Sequence, residues 1–327
     1  MDTVALENKF VDDLAKVAAD LIGTYGLLWQ PSTSSAEAAM QRWLDFRFRY
    51  VEPRPRTVIY SDKFPKSLPA SVEAELLAFE TSAKAGDDLN PRQGRGLTEH
   101  HDASGTKASR RTDALWADWG LLHFHLCSLP SLKGGYHTQR SGDMAICVAN
   151  DEHLAIIDVV PHPKDEGWAN PDFIETLHRS WPDAMDPFRI RGLTQYPALT
   201  QDQIHALRSN STNYSVTLGG ESFINPGWGF MGTKTSMKAY MAMMHAMKAA
   251  RELAQFASNP EGPIANCLAA EKITEPALCL VVVEGKLCIH DGTSKILFPL
   301  MDEDSNQGNA LGTIKNTVLP DWAAKRL

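Results

Sequence analysis

Several of the signals that sort proteins into classes are missing from this sequence. Among its 327 residues only five are cysteine, at positions 127, 147, 267, 279 and 288. The number is odd and no pair has C-x-x-C spacing, which argues against a zinc ribbon and a dithiol redox motif. Several of these cysteines lie in apolar, strand-like runs, where they read as small buried hydrophobes in a reducing compartment. No apolar run approaches the ~18 residues of a membrane-spanning helix. The start, MDTVALENKFVDDL, lacks a basic n-region, so no signal peptide is expected and the cytoplasm is the default. Positive charge is scarce too: 32 Lys and Arg stand against 40 Asp and Glu, a formal balance of −8. That excludes a general nucleic-acid coat, which works by displacing phosphate counterions, and it disfavours docking on anionic membranes. A local basic patch is still compatible with it. There is no Walker loop, no G-x-S-x-G elbow and no internal repeat.

What is present is an ordinary globular composition, 43% hydrophobic and 22% charged, in a chain long enough for one large domain or two smaller ones. Helical spacing of Phe10, Leu14, Val17, Leu21 and Ile22 predicts a helix over 8–29. A second runs from Ser35 to about Tyr50, with Ser34 or Ser35 as its cap. Pro53 and Pro55 then force extended chain. The run TVIYS (57–61) predicts a strand, and 70–85 a helix stopped by Gly86. Residues 90–110 are polar and read as a loop, 111–119 as a short helix. Strands follow over 121–127, 143–149 and 153–160, the last two joined through Asn150-Asp151-Glu152. Pro171 opens a helix that ends near Trp181. Beyond it come a helix over 200–209 capped by Thr200, a Gly-Gly hairpin over 214–224, a long helix over 234–257 and short strands over 277–283, 286–290 and 295–300. The stripe Met237, Tyr240, Met241, Met244 and Met247 reads as a core face, with a partner groove as the other use.

The order from 57 to 160 is strand, helix, helix, strand, strand, strand. Within it, Arg140-Ser141-Gly142-Asp143 leads into a strand, a hairpin and a final strand that ends at His162. In order and phrasing this stretch resembles the RelE/ParE-type toxins, over about a third of the chain. The resemblance implies an α+β fold in which a helical pair packs on an antiparallel sheet. N-terminal helices precede that module, and a C-terminal helix with a small β meander follows it. The domain reading is 1–52, 53–192 and 193–327. The resemblance also implies a toxin-like or defence-related RNA endonuclease, with RNA or the ribosome as target and an antitoxin or other protein as partner. Where the family's strand carries arginines, this one carries His123 and His125.

Eight of the eleven histidines lie between 100 and 178. Imidazole titrates near neutral pH, so such a cluster suits proton transfer. His123 and His125 stand at i and i+2 and therefore face one side of a strand. With His162 they are the expected acid–base groups, and Arg140 the expected phosphate holder, with no cofactor. A metal-dependent hydrolase centred on His123 and His125, with His162 or Asp158 as third zinc ligand, is the alternative. A catalytically silent, protein-binding relative is the third reading, favoured by net acidity and the methionine stripe. His178 and Arg179, at a helix end, are candidate substrate contacts. So are Gly227, Gly229 and Gly232, whose G-x-G-x-x-G string precedes a helix where free N–H groups can hold an anion.

Overall fold

The structure is a computed structural model and describes residues 2–30, 36–107, 111–132, 134–193, 198–300 and 308–327. Along the chain run α1 (Thr3–Thr24), α2 (Ala36–Arg49), β1 (Thr57–Tyr60), α3 (Ala70–Ala85), α4 (Ala114–Trp119), β2 (Leu122–His125), β3 (Asp143–Ala149), β4 (His153–Pro161), α5 (Asp172–Ser180), α6 (Pro182–Met185) and β5 (Arg189–Ile190). Then come α7 (Gln201–Ser209), β6 (Ser215–Leu218), β7 (Glu221–Ile224), α8 (Met237–Ser258), α9 (Pro263–Ala270), β8 (Leu278–Val283), β9 (Lys286–Asp291), β10 (Leu297–Pro299), α10 (Gly308–Asn316) and α11 (Asp321–Ala324). The protein is α+β. None of the described helices is long and apolar enough to cross a membrane.

The chain forms two compact units, and these are not consecutive segments. One comprises 1–47, 102–106 and 239–327, the other 48–101 and 107–238. The three-segment reading is thus replaced by one in which the first and last parts of the chain share a core. In that first unit Asp2 caps α1 by accepting from the N–H groups of Val4 and Ala5, which starts the helix five residues earlier than expected. Phe10, Leu14 and Leu21 on α1 are fully buried. Asp13 accepts from the Leu280 N–H at 2.9 Å and so occupies a donor on the edge strand β8. Trp43 donates to the Val318 carbonyl at 2.6 Å. On α10, Ala310, Leu311 and Ile314 bury one face at helical spacing. On α8 the buried side is Ala239, Ala242, Met243, Ala246, Met247 and Ala250, whereas Met241 and Met244 are exposed. The expected methionine core face is therefore displaced toward the alanines. The expected caps Ser34 and Ser35 lie outside the described residues.

The second unit is built on a four-stranded sheet in the order β1-β4-β3-β2. Its β2–β3 and β3–β4 pairs are antiparallel, as expected, but β1 runs parallel to β4. The long return through α3, α4 and the β2–β3 strands makes that parallel pairing possible. Both faces of the sheet are covered. Ala145 and Cys147 of β3 pack with Phe79 of α3 and Phe124 of β2, while Ile146 packs with Trp119, Phe173, Ile174 and Phe223 on the other side. Between Ile146 and Cys147 the register slips by one, and Ile157 is the extra residue on β4. A second sheet, β5-β7-β6, contributes Val216, Leu218 and Phe223 to the same core as Ile146. Thr200 caps α7 in a capping box with Gln203, as its sequence predicts.

Candidate functional site

β2 is an edge strand, and its residues alternate between the two faces. Leu122 and Phe124 enter the core beside α3, which sends His123 and His125 to the opposite face. The segment Arg140-Ser141-Gly142-Asp143 then ties two strands together. The Ser141 N–H donates to His125 Nδ1 at 3.3 Å, and the Gly142 carbonyl accepts from the His162 N–H at 2.7 Å. This brings His162, just past β4, over His125, with ring centroids 5.7 Å apart and planes 26° from parallel. Trp168, in the short turn Asp165–Ala169, packs against both remaining rings, at 4.8 Å from His123 and 5.4 Å from His162. The three histidines and Arg140 chosen from the sequence therefore line one cavity of about 610 Å³.

Other residues in that cavity were not singled out. Asp113 caps α4 by accepting from the N–H groups of Leu115 and Trp116 through Oδ1. Its Oδ2 stands 3.5 Å from His123 Nδ1 and 3.9 Å from Arg49 Nη2. Arg49 is buried and points a second nitrogen at His101 Nδ1, 2.5 Å away, so that nitrogen is the acceptor. The stretch 90–110, expected to be a polar loop, is anchored and partly buried. Asn90 holds both the N–H and the carbonyl of Val51, and Gln93 donates to the Arg49 carbonyl. Within it Gly96–His100 forms one π-helical turn. A Cβ on Gly96 would stand 2.3 Å from the His101 ring, so only glycine leaves that ring its place. A sequence signal did exist for Asp113, a helix-initiating Asp ten residues before a histidine strand.

The hydrogen bonds assign the imidazole tautomers. His162 Nδ1 donates to the Pro163 carbonyl at 2.9 Å, which leaves Nε2 open. His125 Nδ1 is an acceptor, so the neutral ring carries its proton on Nε2. His123 turns Nδ1 toward the Asp113 carboxylate, and its Nε2 lies beside the bare Cα of Gly94. Burial pushes the Asp113 carboxyl up, but His123, Arg49 and His101 outweigh it and hold the group at about 2. Burial lowers His123, with Arg49, His162 and Arg140 adding to the effect against the pull of Asp113. His125 is lowered to about 4, first by burial and then by its cationic and imidazole neighbours.

The His125 shift has a measurable consequence. Below pH 6.5 the unfolded chain takes up a proton here, and the folded chain resists it until about pH 4. Stability is therefore complete above pH 6.5 and falls as the pH drops toward 4, by about 3 kcal/mol at the lower limit. Urea unfolding at stepped pH reads this directly. His125→Gln keeps an acceptor for Ser141 and flattens the slope; an unchanged slope places the titration elsewhere.

Beneath the cavity, Asp118 is 1% exposed at its side chain and gathers Arg208, Tyr214 and Asn225. Arg208 Nε meets it at 2.6 Å, and Arg208 Nη1 donates to the Trp168 carbonyl at 2.6 Å. The guanidinium lies 4.0 Å over the Trp119 ring. Burial, then the Asp118 charge, pushes the Tyr214 phenol up.

Five candidate contacts fall outside the cavity. Arg179 and Ser180 bind Asp62 on the surface, and His178 packs on Phe223 at 5.1 Å. The glycine string closes the end of α4 instead of cradling an anion. Gly227 N–H donates to the Asp118 carbonyl at 2.9 Å and Gly229 N–H to the Ala117 carbonyl at 2.8 Å, so these donors are spent. Asn213 brackets the N–H and carbonyl of Phe230. Gly232 has open space around its Cα. A Cβ on Gly227 would stand 2.2 Å from the Trp116 carbonyl oxygen, a backbone atom. Gly227→Ala is expected to destabilise the protein by about 3 kcal/mol in chemical denaturation, and a change below 0.5 kcal/mol would show that the loop is free to move. The metal alternative also loses its geometry. Among the described residues no three His, Cys, Asp or Glu side chains are arranged to hold a metal ion, His123, His125 and His162 included.

No protein-family model, curated protein or solved structure matches the chain.

Proposed function

We propose that the protein is a metal-independent ribonuclease, toxin-like or defence-related, that cleaves RNA by attack of a 2′-hydroxyl on the adjacent phosphate. The observation that carries this reading is a set of imidazoles with different open nitrogens around one uncommitted guanidinium. His123, backed by the Asp113 anion, offers a lone pair at Nε2 and takes the 2′-hydroxyl proton. As the 2′-oxygen bonds to phosphorus, the bond from phosphorus to the 5′-oxygen breaks. His162, as imidazolium, gives its Nε2 proton to that leaving oxygen. Its Nδ1–H bond to the Pro163 carbonyl is kept in both charge states. His125 differs from the expected third acid–base group. With Nδ1 occupied by Ser141 it stays neutral and donates from Nε2 to a phosphate oxygen. Arg140 has no carboxylate or hydrogen-bond partner among the described residues, and it stands close enough to lower both His123 and His125. It is the group left to hold the phosphate.

A cavity lined by three histidines, with His162 and Arg140 exposed at its rim, favours an enzyme over a silent binding relative. The test is incubation of purified protein with single-stranded RNA in excess chelator. The expected products end in 2′,3′-cyclic phosphate and 5′-hydroxyl. Intact RNA and an intact diribonucleotide after long incubation with folded protein would together sink the reading.

A further inference from the structure

We propose that the cavity takes a short ribonucleotide phosphodiester, one or two nucleotides long and singly charged at the scissile phosphate, in preference to polymeric RNA and to phosphomonoesters. This rests on the acid–base reading above and adds the substrate class to it.

Size is the first argument. About 610 Å³ is the volume of a pocket for one small molecule, within the ~300–1,000 Å³ typical of such sites. Part of its lining is made of the buried side chains Leu115, Ala169 and Phe230, which belong to the folded core. His123, the proposed base, keeps 15% of its side chain exposed, whereas Arg140 and His162 stand at the exposed rim. A scissile bond must therefore enter the cavity far enough for its 2′-hydroxyl to reach His123 Nε2. A dinucleotide can do so with both ends free. A long strand would have to keep its flanking residues outside the cavity while its scissile bond reaches His123.

Charge is the second argument. The described lining holds five Lys and Arg, but most are already committed. Arg49 faces Asp113, Arg208 faces Asp118, Arg95 stands 3.7 Å from Glu99, and Lys234 donates to the Ser209 carbonyl. Arg140 alone among these has no partner in the described residues. Arg140 can meet the single charge of a diester without giving up a partner. A monoester, whose second ionisation lies near pH 6, would bring a second charge with no second unpaired guanidinium in the described lining to meet it.

The third observation is Gly94, whose Cα borders His123 Nε2. A Cβ there would stand 3.1 Å from that nitrogen, and the glycine has no positive φ that would make alanine strained. Gly94→Ala is thus a plug in front of the base that leaves the backbone unstrained.

The experiment compares four probes by calorimetry and by product analysis: uridylyl-(3′,5′)-adenosine, its 2′-deoxy analogue, 3′-uridine monophosphate and a 30-nucleotide single-stranded RNA. The dinucleotide is expected to bind at least tenfold more tightly than the monophosphate. Its kcat/KM is expected to exceed that of the long RNA, per scissile bond, by at least tenfold. The deoxy analogue should bind without being cleaved. Arg140→Ala should weaken dinucleotide binding at least tenfold, and Gly94→Ala should abolish cleavage with unfolding midpoint unchanged. If the long RNA is bound or cleaved and the dinucleotide is not, the size inference is overturned while the ribonuclease reading stands. If the monophosphate binds more tightly, the charge inference is overturned. If the dinucleotide binds and is not cleaved, the ligand class survives and the acid–base reading falls. If none of the four binds, both fall.

Discussion

His123→Ala is expected to lower kcat/KM for ribonucleotide cleavage by 10²–10⁴-fold with little change in KM, the range for loss of a general base. The loss of the ring leaves its strand in place. It stands on an edge strand, its backbone is held by pairing to β3 whatever the side chain, and its contacts are the Asp113 carboxylate and Trp168. The companion Asp113→Asn separates positioning from packing. Asparagine is as good a helix cap as aspartate, so α4 keeps its start. What is lost is the anion that faces His123 Nδ1 and Arg49. Activity should fall by about 10–100-fold or more, by analogy with the carboxylates that orient metal-ligating and catalytic histidines. The pH profile gives a second sign. Asp113 raises the His123 pKa, so its removal lowers that pKa further, and the acid limb of kcat/KM moves to lower pH. A merely structural Asp113 would reduce activity at every pH by the same factor. Retention of full activity by His123→Ala would move the base to another residue.

The sequence carried the local elements further than it carried their connections. Strand and helix positions follow from periodicity and capping, which are properties of adjacent residues: Gly86 ends α3 at φ 85, and Thr200 starts α7 with its side chain. The i, i+2 placement of His123 and His125 likewise needs only the pleat of a strand. The parallel pairing of β1 with β4 does not, because it depends on where a chain returns after ninety residues. The same limit hid half of the site. Arg49, His101 and Asp113 meet only because the stretch after residue 90 is pinned by Asn90 to Val51, and in sequence that stretch has the composition of a loop. Conversely, the G-x-G-x-x-G string satisfied a one-dimensional pattern for anion binding while its N–H groups were already pledged to α4. A string of glycines says that backbone approaches something closely. It does not say whether that something is a ligand or another helix.

Asp118→Ala is expected to destabilise the protein by about 3–5 kcal/mol, the cost of stripping one partner from a buried ion pair. The figure belongs to the charge left behind. Arg208 is 8% exposed and stacked on Trp119. Tyr214 and Asn225 would lose their acceptor at the same time. Removing both charges should cost much less than removing one. In Asp118→Leu/Arg208→Met the cavity is filled and no ion is stranded, so the double variant should be more stable than Asp118→Ala in urea denaturation. Yet it should not recover cleavage. Arg208 Nη1 holds the Trp168 carbonyl, and Trp168 is the surface against which His123 and His162 rest. Stability and activity thus separate at this position: methionine can replace the bulk of Arg208 but cannot fix the turn that carries Trp168. Equal instability of single and double variants would mean that the pair matters through its shape alone, and a fully active double variant would release Trp168 from any part in the site.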